Sequence, residues 1–205
     1  AQKGYQVTGV DLSEEMLAVA REKSDARHLH IDWHRQDITS LNLVDEAGED
    51  LVFDAVIATF DVFNHLTEPE ELQMLFHALN PLLADEGVLL FDVQTPYKLQ
   101  EYLGNHIFTL HRDDVEYMWE NHFDEESQIC TMEITFFLKQ DNGLYRRETM
   151  TQEERVYDLD LLRMWLKYSD FEVAGVYGEL SEDDVADEAH RAVFVAKPML
   201  YDGSD

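Results

Sequence analysis

The spacing of hydrophobic and polar positions changes once along the chain, and the change divides it. Gln6 to Val10 is a short β-rich run that closes on Asp11, after which Ser13 can cap a helix with apolar positions at Met16, Leu17 and Ala20. A second strand, His30 to Gln36, closes on Asp37. A third, Val52 to Thr59, is nearly all apolar, as in a parallel strand covered on both faces. Thr67 and Glu70 have the spacing of a capping box, and Leu72, Leu75, Phe76 and Leu79 behind them fall on one helical face. Pro81 and Gly87 punctuate the end of that helix, and Val88 to Val93 is another continuous apolar run. Strand and helix alternate through this half, which predicts an α/β fold built on a mostly parallel sheet with covering helices.

From about Asp114 the period becomes two. Val115, Tyr117, Trp119 and Phe123 alternate with polar residues, and so do Cys130, Met132, Ile134, Phe136 and Leu138, which predicts half-buried antiparallel strands. Turn signals at Asp124 to Ser127 and at Asp141, Asn142 and Gly143 flank the second run. Asp158 or Asp160 can start a last helix through Leu161, Leu162, Trp165 and Leu166, followed by strands at Glu172 to Tyr177 and Ala192 to Lys197. The acidic stretch Ser181 to Glu188 between them reads as a solvated loop. These elements predict a single domain over residues 1–205 with an antiparallel β-insertion at roughly 105–157.

Hydrophobic residues fill 45% of the 205 positions and charged ones 29%, enough apolar content for one core and too much for a disordered chain. The 44 acidic residues outnumber the 15 basic ones, and a formal charge of −29 repels the phosphates of nucleic acid. No nucleic-acid partner is expected, and the charge itself is read as solubility or habitat. Cys130 is the only cysteine, so neither an intrachain disulfide nor a multi-thiolate zinc site can form, and a cytoplasmic setting is the expectation. No run of about 18 apolar residues is present to span a bilayer, and no membrane partner is expected. His28, His30 and His34 share strand parity, but evenly spaced imidazoles on a strand are more often packed or solvent-exposed than ligands, so no metal is expected.

Open α/β sheets bind ligands beyond the C-terminal ends of their strands, and three successive ends here carry Asp11, Asp37 and Asp61. A carboxylate at the first end can accept from two ribose hydroxyls, and one at the second from an adenine amino group. The set suits an adenosine.

The surrounding residues carry a resemblance. GVDLSEEML at Gly9 to Leu17, QDIT at Gln36 to Thr39 and FDAVIATFDVFNHL at Phe53 to Leu66 resemble the second, third and fourth motifs of class I S-adenosylmethionine-dependent methyltransferases. LLADEGVLLFDV at Leu82 to Val93 resembles the family's fifth strand and the turn before it. The resemblance implies a Rossmann-like seven-stranded fold with an antiparallel last strand, S-adenosylmethionine as cofactor and methyl transfer to an O, N or C nucleophile of a small molecule. It also implies a cofactor site: Asp11, Leu12 and Met16 for the ribose side, Asp37 and Ile38 flanking adenine, and Phe60 and Asp61 beside the methionine and methyl group. The family's glycine-rich first motif is absent, since AQKGYQV resembles the end of the helix that follows it. An N-terminally incomplete chain without strand one is therefore expected.

Catalytic and acceptor groups are less sharply marked. His65, beside the fourth motif, and Tyr97, just past the fifth strand, are candidates for a base near the acceptor. Asn64, Tyr117, Trp119 and Arg155 are candidates for holding it, with the β-insertion as a lid. Two other readings stay open: a nicotinamide-dependent oxidoreductase, which also places an acid after strand two, and a non-catalytic methyltransferase-like binding or regulatory module. Oligomeric state is not legible.

Overall fold

The computed structural model of the protein describes residues 1–45, 47–179 and 181–200; the last five positions of the expected domain, 201–205, lie outside them. The chain divides into two units, one from Ala1 to Val52 and one from Phe53 onward. In the first, β1 (Thr8–Asp11) and β2 (Asp32–Arg35) pair in parallel across α1 (Glu14–Asp25). Ser13 caps α1 as expected, its hydroxyl accepting from the Met16 amide at 3.2 Å. Leu17 is buried beneath the helix. Trp33 lies across the strand pair so closely that a Cβ on Gly9 would come within 2.2 Å of its ring, and only glycine fits opposite it. The expectation that three histidines share a strand face fails here. β2 begins at Asp32, His28 sits in the turn after α1 at φ 54°, and only His34 is in the strand.

The second unit holds a four-stranded sheet in the order β3 (Phe53–Ala58), β4 (Leu83–Gln94), β10 (Arg191–Pro198), β9 (Phe171–Gly178). β3 and β4 are parallel; β10 is antiparallel to both β4 and β9. The core lies on β4, where Leu89, Phe91 and Val93 are inaccessible to solvent. Phe91 stacks on Phe194 with ring centroids 4.8 Å apart and meets Phe63 and Phe76 on its other side. Gly87 permits a bulge early in β4: a Cβ there would lie 2.8 Å from the Ala84 carbonyl, and the β3 register shifts across the same stretch. Within this unit β3 is the outer strand of the sheet, and Ile57 is 66% exposed.

α2 (Pro69–Leu79) buries Leu72, Leu75, Phe76 and Leu79, the face its spacing predicts. Its start differs from the expected capping box. Glu68 occupies the cap position and makes no side-chain bond, because Pro69 at the first helical position fixes the backbone and has no N–H to satisfy. α3 (Leu159–Tyr168) starts at Asp158, whose carboxylate accepts from the amides of Asp160 and Leu161. No helix among the described residues is long and apolar enough to cross a membrane.

Between β4 and α3 the chain forms a separate antiparallel meander, β5 (Ile107–His111), β6 (Val115–Asp124), β7 (Ile129–Lys139) and β8 (Tyr145–Arg155). The period-two pattern marks β6 and β7; β5 and β8 flank them. One sheet face is anchored on a short π-helical turn, Tyr97–Leu103, where Leu99 and Leu103 pack against Cys130, Met132 and Val156 with Phe108, Trp119 and Phe123 around them.

Candidate active site

Because β10 runs antiparallel, its first residue pairs with the last of β4, Arg191 opposite Gln94, at the end where parallel β3 also stops. The chain leaves β3 through two consecutive left-handed residues, Phe60 at φ 65° and Asp61 at φ 56°, a conformation non-glycine residues seldom adopt in succession. Asp92 holds this turn. Its two oxygens accept from the Phe60 amide at 3.1 Å and the Asp61 amide at 2.7 Å. Arg191 then spans both acids, donating to Asp92 at 2.7 Å and to Asp61 at 2.8 Å. The result is a rigid corner with the Phe60 ring 80% exposed beside a half-buried carboxylate.

A third acid closes the cluster from the meander. Glu154, on β8, is 0% exposed, and the Gln94 amide nitrogen bridges it to Asp61, at 2.7 Å and 3.0 Å. Burial, followed by the Asp61 charge, pushes the Glu154 carboxyl up to about 8. The Gln94 amide oxygen is buried and finds no hydrogen-bond partner among the described residues. Lys98 lies close enough to act on both acids and rests over the Tyr102 ring at 3.9 Å; burial lowers its ammonium from the usual lysine value. Asp61, His65 and Glu154 offer ligand atoms all within 4.8 Å of one another and are the trio among the described residues that could hold a metal ion. Gln94 and Arg191 already bond the oxygens of its two acids.

The candidates for acceptor binding fall in different places. Asn64 is buried and donates to the Arg155 carbonyl at 3.0 Å while its oxygen accepts from the Gln94 amide at 2.9 Å. His65 is exposed, with Nδ1 3.3 Å from the Glu153 carbonyl. The Arg155 guanidinium donates to the Thr67 carbonyl at 2.7 Å, and its side chain borders a cleft of about 370 Å³ with Gln100, Gln128 and Trp165. Tyr97 stacks on His190 and borders a second cleft of about 470 Å³. Strand register puts Tyr117 and Trp119 on the same meander face as Glu154, but Trp119 is two strands and two side-chain rows away, roughly 16 Å. The structure thus brings Asp61, Asn64 and His65 together with Glu154 and does not bring Tyr117 or Trp119 to them.

In the first unit, β1 and β2 end side by side. Asp11 accepts from the Ser13 amide at 2.8 Å through one oxygen, and Asp37 accepts from the Thr39 amide and hydroxyl through one oxygen, which holds its carboxyl below the usual range. Among the described residues the second oxygen of each has no partner, so both can still accept from a ligand. Leu12 and Met16 are exposed near Asp11, Met16 59% so, and Ile38 opens the short helical turn that Asp37 caps.

Five residues of the cluster, Asp92, Gln94, Lys98, Glu154 and Arg191, are not among the sequence candidates. Asp92 and Gln94 carried a signal, two polar residues closing an apolar parallel strand. Arg191 and Glu154 carried none by themselves, since each reaches the cluster only through antiparallel register.

Comparison with known proteins bears on both units. A family model described as a methyltransferase domain matches residues 1–87. A protein of Geobacillus sp. (strain WCH70) named as a methyltransferase is 32% identical over 197 residues, spanning 96% of this chain and 77% of its own length. The crystal structure of an S-adenosylmethionine-dependent methyltransferase from Clostridium acetobutylicum ATCC 824 is 30% identical and superposes with a TM-score of 0.87 over 96% of this chain and 76% of that one. An amino pentose methyltransferase from Micromonospora echinaspora, solved with S-adenosylmethionine bound, has the same fold at a TM-score of 0.72 and 21% identity, covering 95% and 74%.

Proposed function

This chain belongs to the class I S-adenosylmethionine-dependent methyltransferases, and we propose that it methylates an O, N or C nucleophile of a small molecule. That membership argues against the nicotinamide-dependent reading. S-adenosylmethionine is the cofactor, and when bound it supplies a methyl group already activated on a sulfonium. The residues present fit it: Asp11 and Asp37 each keep a carboxylate oxygen for a ligand at neighbouring strand ends. We assign Asp11 to the ribose hydroxyls, with Leu12 and Met16 beside it, and Asp37 and Ile38 to adenine. In the second unit we assign Phe60 and Asp61 to the methionine and methyl side.

The observation that carries the small-molecule reading is the corner at Phe60 and Asp61. Its backbone is fixed by Asp92, its charge is balanced by Arg191, and the meander strand β8 closes over it with Glu154. With β8 closing over its carboxyl side, the corner suits a compact acceptor. An amino pentose methyltransferase sharing the fold supports the same acceptor class. With the methyl already activated, these residues contribute chiefly by holding the nucleophile in line and by taking up a proton where the acceptor has one to lose.

Calorimetry with S-adenosylhomocysteine and with NAD, followed by turnover over a panel of small amines, alcohols and carbon acids, tests the reading. Binding of the homocysteine compound alone together with methylation of a panel member is the expected result. Methylation only of protein or nucleic acid would overturn it.

A further inference from the structure

We propose that the acceptor is a cationic amine and that the Asp61–Glu154 carboxyl pair binds it and takes its proton. The inference rests on the methyl-transfer reading and adds the acceptor class to it. Asp61, Arg191 and Lys98 act on Glu154, while Asp92 shares Arg191 and Glu179 acts on Lys98. Three anions face two cations before Glu154 is counted. Protonated, Glu154 leaves the cluster with one negative charge in excess; ionised, it leaves two. A cation arriving at Asp61 therefore favours loss of the Glu154 proton.

The unused hydrogen-bonding capacity has the same sense. The Gln94 amide oxygen is a buried acceptor with no donor, on a side chain whose nitrogen already touches both acids. This one free acceptor, beside two carboxyl groups whose oxygens have further lone pairs, suits a ligand that donates several bonds. A primary ammonium has three N–H donors, whereas a hydroxyl has one.

The proton step follows from the difference between the two acids. Asp61 is partly exposed and pinned by Arg191, and Glu154 is enclosed, its carboxyl raised by burial to about 8. An ammonium N–H bond breaks as the proton passes to Asp61 and on to Glu154 across their shared contact. The lone pair left on nitrogen is what the methyl transfer consumes, and the positive charge reappears on the methylated nitrogen. His65, exposed and within 4.8 Å of both acids, is placed to pass the stored proton to solvent. Asp61 is the group that meets the amine, and Glu154 is a positioning residue that holds the proton behind it.

Two measurements on the purified protein test this. Calorimetry near pH 8 in buffers of different ionisation enthalpy compares S-adenosylmethionine with S-adenosylhomocysteine, which differ by one positive charge at sulfur. The cationic compound should release more proton from the wild type, and the difference should vanish in E154Q while the homocysteine compound binds both proteins alike. Benzylamine and benzyl alcohol, as matched acceptors, are then compared for turnover. Benzylamine should be preferred, with kcat/KM rising through about pH 8. E154Q should abolish the rise and lower the rate by about 100-fold, and E154D should restore part of both. Equal proton release by the two cofactor forms, preference for the alcohol or an unchanged pH profile in E154Q overturns the inference; if neither acceptor turns over, the calorimetric comparison decides it. Failure of the wild type to bind S-adenosylhomocysteine would instead count against the methyl-transfer reading.

Discussion

The Asn64 side chain donates to the carbonyl of Arg155, 91 positions further along the chain, at 3.0 Å. Three neighbouring bonds repeat the connection: His65 to the Glu153 carbonyl, the Arg155 guanidinium to the Thr67 carbonyl and the Tyr157 hydroxyl to the Leu66 carbonyl. Together they sew the loop after β3 to the end of β8, and Glu154 is buried in the middle of the seam. The acid reaches Asp61 because its neighbours on both sides are held by backbone carbonyls.

Asn64 is the tightest stitch, since its oxygen also accepts from the Gln94 amide. In N64A both the Gln94 N–H and the Arg155 carbonyl lose their side-chain partner inside the protein. The expected loss is about 2 to 6 kcal/mol, at 1 to 3 per buried orphaned group, read as a lower urea midpoint. N64D keeps the acceptor and loses the donor, and should fall between wild type and N64A. A loss below about 0.5 kcal/mol in N64A would mean that solvent reaches both groups.

Asp92 supports the left-handed corner at Phe60 and Asp61. D92A removes both acceptors for the corner amides and frees Arg191 from half of its ion pairing. A cost of about 3 kcal/mol is expected, near the low end for breaking a buried pair because Arg191 keeps Asp61. S-adenosylmethionine binding should weaken along with stability, since Phe60 would no longer be held. Thermal unfolding and calorimetry on the same preparation check both effects.

The division of the sequence into an alternating α/β half and a period-two insertion was legible because each pattern reports the burial of its own element. Leu72, Leu75, Phe76 and Leu79 point inward for the reason their spacing gives. The start of α2 was misread, because Pro69, inside the Thr67–Glu70 pair, takes the first helical position and moves the cap one residue on to Glu68. Strand-end acids could be read singly, Asp61 among them, since topology places strand ends at one edge. Arg191 and Glu154 could not. The first reaches the edge only because β10 runs antiparallel, and the second is exposed or buried according to a β7–β8 register in which it faces Cys130.

Asp11 separates cofactor binding from the chemistry of the second unit. D11A should weaken S-adenosylhomocysteine by roughly 10- to 100-fold, the cost of hydrogen bonds to a charged acceptor. D37A should weaken it less, because Asp37 is assigned one adenine amino group and Asp11 two ribose hydroxyls. Calorimetry gives both numbers, and circular dichroism should show α1 unchanged, since Ser13 keeps its own cap on the Met16 amide. Unchanged affinity in D11A would remove the residue from the proposed ribose site.

Glu154 links the cluster to the pH dependence of stability. Its carboxyl titrates near 8 in the folded protein against 4.5 for the ordinary group, so between those values the native state keeps a proton that the unfolded chain has lost. Stability must then fall as pH rises across this window, with the full penalty present above about 8. The penalty is on the order of 3 to 5 kcal/mol for a shift of this size. E154Q carries no such proton. With a net charge of −29, both proteins share a background of self-repulsion, so the reading is the difference between them in urea titrations from about pH 5 to about pH 8. E154Q should lose less stability over this range and be the more stable protein at its upper end. Parallel curves would show that water or a rearranged Lys98 already solvates the acid, and would leave the cluster with an ordinary, ionised glutamate.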